Sequence, residues 1–273
     1  MSAYANLIPY LSLLQRSLPE EALKPAAELT GKILASIQLK RRKAVEYNLV
    51  KLGIGDPQLS RSVIRHWSVC LADQIKSLWM NPGQLQSLVE DGWSKSLVKS
   101  KPVILVSAHL GNYELGGSYL ASCGLGVHAV VEEIHGGHTR TLNRIRRRFG
   151  MGVVQYGDVS KMIKILKKGM ILVLLSDRDI GESGLSVRFG RSKRRIPVGP
   201  AILAERTGAV IQPAYCIMKG RGYRLIVEEP IGPSAKPRRK ERIENLTREI
   251  NRRMVRTISK YPDQWFVFTN EWI

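Results

Sequence analysis

From Lys101 onward, short apolar runs alternate with stretches whose apolar residues recur every three to four positions. Short runs bounded by turn residues suit buried strands, and a helix between consecutive strands makes each connection a crossover. The pattern therefore points to an α/β fold with a central, mostly parallel sheet flanked by helices. Strands are predicted over Val103–Ser107, Val127–Val131, Gly152–Gln155, Met170–Leu175, Val210–Met218 and Tyr223–Glu228. Helices are predicted over His138–Phe149, Val159–Lys168 and Pro200–Thr207, with a long amphipathic helix over about residues 236–260. Residues 1–100 read as helical instead. Leu29, Ile33, Leu34 and Ile37 repeat at helical spacing, as do Val63, Trp67, Cys70, Leu71, Gln74, Ile75 and Leu78. With 273 residues, 44% of them hydrophobic, the chain can bury a sizeable core. An N-terminal helical region (1–100) and an α/β core (101–273) are expected to form one globular unit.

The residues that carry chemistry fall at strand ends. Ser107-Ala-His109-Leu-Gly-Asn-Tyr-Glu114 follows the first predicted strand and opens a helix, which delivers a histidine and a glutamate to the strand's carboxyl end. Open α/β sheets place their ligands at that edge. His109 can accept a proton near neutral pH, and Glu114 suits the role of holding its other ring nitrogen. Ser176-Asp-Arg-Asp179 follows the strand ending at Leu175, so Asp177, Arg178 and Asp179 reach the same edge. They suit an ion-pair network or substrate contacts better than a metal, because no further ligand falls at metal spacing. His135-Gly-Gly-His138 also lacks metal-binding partners. Gly116-Gly117 reads as a close-packing device, and Cys123 as a small core residue.

The net charge of +20 attracts anionic partners, and 30 of the 43 Lys and Arg lie beyond residue 100. Arg188, Arg191, Lys193, Arg194 and Arg195 read as a cationic loop that meets a membrane surface or another anionic partner. Three widely spaced cysteines argue against a disulfide framework and a zinc site. The apolar stretch Ala3–Leu14 is interrupted by Pro9 and falls short of the roughly 20 residues a spanning helix needs. A peripheral or monotopic protein on the cytoplasmic face of the membrane is expected.

Four motifs occur together in one order: the His-x4-Glu box, an acidic residue at the next strand end, the basic helix closing on Arg146-x-x-x-Gly150, and the Asp177…Phe189-Gly190…Pro197-Val-Gly-Pro-Ala201 block; the closing Tyr261-Pro-Asp-Gln-Trp-Phe-Val-Phe268 adds to them. In these the chain resembles the late acyltransferases of lipid A biosynthesis and their relatives, the phosphatidylinositol mannoside acyltransferases, over about residues 60–270. The resemblance implies a general base at His109 oriented by Glu114. It also implies supporting roles for Glu132, Arg146 and Asp177, with Glu133 and Arg147 as adjacent alternatives in register. Where relatives commonly carry two phenylalanines before the glycine, this chain has Arg188 first, so its contact with the acyl donor is expected to differ.

The chemistry that follows is O-acyl transfer from a thioester of acyl carrier protein or coenzyme A to a hydroxyl of a glycolipid or phospholipid acceptor. The thioester is a co-substrate, and no resident cofactor is expected. The oxyanion needs donors, for which the Gly111 and Asn112 amides or Arg146 are candidates. A nucleic-acid-binding protein is the alternative from another class. It is disfavoured by only four phenylalanines and the lack of aromatics interleaved with the basic runs. A metal-dependent hydrolase built on His109 and Asp177 is a third.

Overall fold

The computed structural model describes residues 20–37, 39–90, 96–98, 102–132, 137–232 and 236–273. Ala3–Leu14, Glu133, His135 and the side chain of His138 lie outside the described residues. The strands of the central sheet are β1 (Val89–Glu90), β2 (Val103–Ser107), β3 (Val127–Val131), β4 (Gly152–Gln155), β5 (Ile171–Leu175), β8 (Val210–Lys219) and β9 (Gly222–Val227). They lie in the order β1-β9-β8-β2-β5-β3-β4, and every neighbouring pair is parallel except β8 and β9. The expected mostly parallel sheet is present, and its β2, β3 and β4 have the bounds read from the sequence.

The unbroken apolar run of β2 is explained by burial on both faces. Val103 and Leu105 enter a cluster with Leu115, Tyr119 and Leu120 of helix α5 (Tyr113–Ser122). Ile104 and Val106 enter the opposite cluster, with Ile165 and Leu166 of α7 (Val159–Lys167) and Leu203 of α8 (Gly199–Thr207). The long helix α9 (Arg239–Lys260) adds Leu246 and Ile250 to that second layer. α6 (Gly137–Arg148) lies on the first, through Ile145.

The N-terminal helices are α1 (Glu20–Ile37), α2 (Leu39–Leu52), α3 (Pro57–Lys76) and the short α4 (Pro82–Ser87). Asp56 caps α3 by accepting from the Gln58 amide at 2.9 Å, and Pro57 occupies the first turn where no donor is needed. Helix α1 packs against α3 through small residues, Ala27, Gly31 and Ala35, and a Cβ on Gly31 would stand 2.7 Å from Arg65 Cα. Its large apolar residues face outward: Leu29, Ile33 and Ile37 are 59%, 54% and 66% exposed. The helical periodicity is real, but it marks a solvent-facing stripe.

The cationic stretch read from the sequence as a loop is an antiparallel hairpin, β6 (Leu185–Phe189) paired with β7 (Ser192–Ile196). Strand alternation sends Arg188, Lys193 and Arg195 outward, and the turn exposes Arg191. Arg194 must be removed from the proposed membrane contacts, because the same alternation buries it completely. Its guanidinium lies 5.5, 5.5 and 5.2 Å from the ring centroids of Phe189, Trp265 and Trp272, and it pairs with Glu271 at 3.0 Å. Cys123 is likewise corrected. It caps the end of α5 and is exposed, while Cys70 and Cys216 are the buried cysteines.

Candidate active site

β2 and β5 are neighbours with Ser107 opposite Leu175, and the Ser176 amide extends the pairing by donating to the Ser107 carbonyl at 2.8 Å. Two residues beyond each strand end therefore meet. His109 Nδ1 lies 2.8 Å from Asp177 Oδ1, and the His109 amide donates to Asp177 Oδ2 at 3.0 Å. A third donor, the indole N–H of Trp265, reaches the same Oδ2 at 2.9 Å. An ionised carboxylate only accepts, so Nδ1 carries the hydrogen and Nε2 keeps the lone pair that a base needs. The His109 side chain retains 17% exposure, whereas Asp177 has none.

Burial alone would push the Asp177 carboxyl upward. The charge and hydrogen bond of His109, the Trp265 indole and the more distant charge of Arg194 outweigh it, and they hold the group well below the usual carboxylate range. Tyr113 packs edge-on against the His109 ring with centroids 5.2 Å apart. Its hydroxyl is pushed well above the ordinary tyrosine range by burial first, and then by the charges of Glu114 and Asp177.

The orienting carboxylate is thus Asp177, which corrects the expectation for Glu114. Glu114 sits in the first turn of α5, and both its oxygens accept from one guanidinium, that of Arg146 on α6: Nε donates to Oε2 at 2.9 Å and Nη2 to Oε1. Arg146 also donates to Asn143 Oδ1 at 2.8 Å. Of the two adjacent arginines, Arg146 is buried and Arg147 exposed.

Glu132 follows the end of β3 and lies 3.8 Å from Arg178, which donates to Glu271 at 2.7 Å. Asp179 does not join His109. Its carboxylate closes a turn by accepting from the Gly184 amide at 2.7 Å.

The amides expected to face an oxyanion are already engaged. The Gly111 N–H donates to the Gln264 carbonyl at 2.9 Å and the Asn112 N–H to the Cys216 carbonyl at 2.8 Å. Gly111 is required where it stands. Its φ is +61°, and a Cβ there would come within 2.1 Å of the Cys216 carbonyl oxygen. Asn112 is buried and saturated. Its side chain caps α5 at Leu115, accepts from Gln74 at 3.0 Å, and donates to the Cys70 carbonyl at 3.3 Å and the Tyr223 hydroxyl at 3.1 Å. Both residues shape the loop beneath His109 and leave no free amide there.

The family model for bacterial lipid A biosynthesis acyltransferases matches residues 4–273. The chain belongs to that family. The acyltransferase is 22% identical to the phosphatidylinositol mannoside acyltransferase of Mycobacterium tuberculosis (strain H37Rv) over 284 residues, covering 94% of this chain and 85% of that protein. It is 26% identical to the phosphatidylinositol mannoside acyltransferase of Mycolicibacterium smegmatis over 187 residues, covering 66% of this chain and 60% of that one. The crystal structure of a 1-acyl-sn-glycerophosphate acyltransferase from Thermotoga maritima aligns with a TM-score of 0.40 at 16% identity, over 88% of this chain and 97% of that chain.

Sequence reasoning passed over Trp265, Tyr113 and Glu271 in this acyltransferase. Tyr113 stood inside the His-x4-Glu box without a role. Trp265 lay in the closing motif, and the signal available was general: a buried indole needs an acceptor for its N–H.

Proposed function

We propose that this acyltransferase moves a fatty acyl chain from a thioester of acyl carrier protein or coenzyme A to a hydroxyl of a glycolipid or phospholipid acceptor at a membrane surface, with His109 Nε2 as general base. The observation that carries this reading is the 2.8 Å contact from His109 Nδ1 to a wholly buried Asp177, which leaves the opposite ring nitrogen as proton acceptor. A hydroxyl is a poor nucleophile until its proton is removed. Nε2 takes that proton as the oxygen attacks the thioester carbonyl; the new C–O bond forms, the C–S bond breaks, and the proton passes to the leaving thiolate. With the Gly111 and Asn112 amides engaged, the first-turn amides of α5 at Tyr113 and Glu114 are the donors left for the oxyanion, since neither has an acceptor among the described residues.

The glycolipid acceptor is suggested by relatives named as phosphatidylinositol mannoside acyltransferases. A membrane surface as workplace is supported by the outward stripe Leu29, Ile33 and Ile37, by the exposed Arg188, Arg191, Lys193 and Arg195, and by a net charge of +20. Among the described residues no helix is long and apolar enough to cross a membrane.

The test is turnover of purified acyl thioester with acceptor lipid. His109→Ala is expected to lower the rate by a factor on the order of 10²–10⁴, and near wild-type turnover would sink the proposal. Lipid mass spectrometry of a host with and without the gene should show one acyl chain missing from one lipid class, which identifies the acceptor.

A further inference from the structure

The segment after α9 touches the His109 loop at several points. The Phe266 amide donates to the His109 carbonyl at 2.7 Å, and the Gln264 carbonyl accepts from the Gly111 amide at 2.9 Å, so the loop and this segment are bridged like a short antiparallel ladder at Leu110 and Trp265. The segment is itself anchored. The Gln264 side chain accepts from the Met218 amide at 2.8 Å and donates to the Met218 carbonyl at 3.3 Å, which mimics a peptide at the edge of β8. His66 Nδ1 on α3 contacts the Asp263 carbonyl oxygen at 3.0 Å.

On this frame Trp265 is 2% exposed, and its ring lies 5.7 Å from the stacked Phe189 ring at an interplanar angle of 21°. The Arg194 guanidinium lies 5.5 Å from the Trp265 ring centroid, and its Nε and Nη1 have no hydrogen-bond partner among the described residues. The ring is therefore gripped on the side of the hairpin, and its N–H is spent on Asp177 Oδ2.

We propose that Trp265 is a positioning residue for the His109–Asp177 pair. Its indole N–H fixes the rotation of the Asp177 carboxylate, which fixes the imidazole, while the backbone on either side of it holds the loop that carries His109. The inference rests on His109 acting as the base. A side-chain donor held by packing and by a second ring of contacts restricts the base to its productive geometry, and a small loosening of such geometry lowers the rate without weakening substrate binding.

The experiment is a double-mutant cycle on the full chain, read as kcat and KM for purified acyl thioester per folded molecule. Trp265→Phe keeps most of the ring and removes the donor. It should lower kcat by about tenfold while KM changes by less than about twofold. Asp177→Asn should lower kcat as well. In that background Trp265→Phe should cost almost nothing more, because the group through which it acts is already gone.

Leu166→Ala, in the cluster beneath α7 on the other layer, supplies a comparable loss of packing. It should lower the unfolding midpoint and leave kcat per folded molecule unchanged. Full additivity of the Trp265 and Asp177 losses, or wild-type kcat in Trp265→Phe, would overturn the role of Trp265. Near wild-type turnover in His109→Ala would instead overturn the base assignment on which it rests. If Trp265→Phe does not fold, the indole ¹⁵N–¹H resonance of Trp265 decides between the outcomes. It should shift and exchange faster in Asp177→Asn, and an unmoved resonance would overturn the proposal.

Discussion

Asp177 and Glu114 are both carboxylates within reach of the His109 loop, and their partners separate them. Asp177 takes three donors, two from His109 and one from Trp265, in a fully buried position. Glu114 is consumed by Arg146, with side-chain exposures of 16% and 7%. Breaking a largely buried ion pair by removing one partner costs about 3–5 kcal/mol, because the other charge is stranded. Glu114→Ala is therefore expected to lose stability of that order in urea unfolding, on top of any effect on turnover. Glu114→Ala combined with Arg146→Met should recover most of it. A double variant as unstable as the single one would show that the pair is not what the stability depends on. His109 was legible from its place after an apolar run. Its partner was not, because the residue nearest in sequence was not the one nearest in space.

At the scale of elements, α1 and the β6–β7 hairpin present the surfaces proposed to bear on a membrane. The stripe Leu29, Ile33 and Ile37 belongs to a helix that needs only its small residues for packing, and the hairpin exposes Arg191, Lys193 and Arg195. Each cation near an anionic surface contributes about 1 kcal/mol, screened over roughly 8 Å at physiological salt. Leu29→Asp with Ile33→Asp should reduce co-sedimentation with anionic vesicles even at low salt. Reversal of Arg191, Lys193 and Arg195 to glutamate should reduce it in a manner that about 1 M salt reproduces in the wild-type chain. Binding that survives both sets would remove these faces from the membrane reading. The second strand of the hairpin escaped the sequence, because Arg194 at an inward position between the outward Lys193 and Arg195 hides the alternation of two that marks a strand. Arg194 occupies an inward position usually given to an apolar residue, and three aromatic rings make that possible.

Across the whole molecule, the buried Asp177 and the half-buried Glu271 tie the sheet edge to the last residues of the chain. Asp177 is held below its usual range, and so is Glu271, where burial pushes upward but the bonds from Arg178 and Thr269 and the charges of Arg178 and Arg194 together outweigh it. A carboxyl with a depressed folded value binds fewer protons folded than unfolded. The stability it lends is present above its unfolded value of about 4 and is lost as pH falls toward the folded one. Thermal midpoints of the wild-type chain should therefore drop progressively below about pH 5, and Asp177→Asn should show a shallower drop. An identical acid slope in that variant would contradict the electrostatic picture of the site.

The sequence by itself determined the α/β class, the positions of β2, β3 and β4, and the delivery of His109, Glu132 and Asp177 to strand ends. These follow from local periodicity, which is a property of neighbouring residues. Only the tertiary structure decided that β5 lies beside β2, and so that a carboxylate 68 residues away holds His109 while Glu114, five residues away, turns to α6. Strand order, the burial of Arg194 and the arrival of Trp265 at Asp177 depend on contacts between distant segments, and no local pattern encodes those.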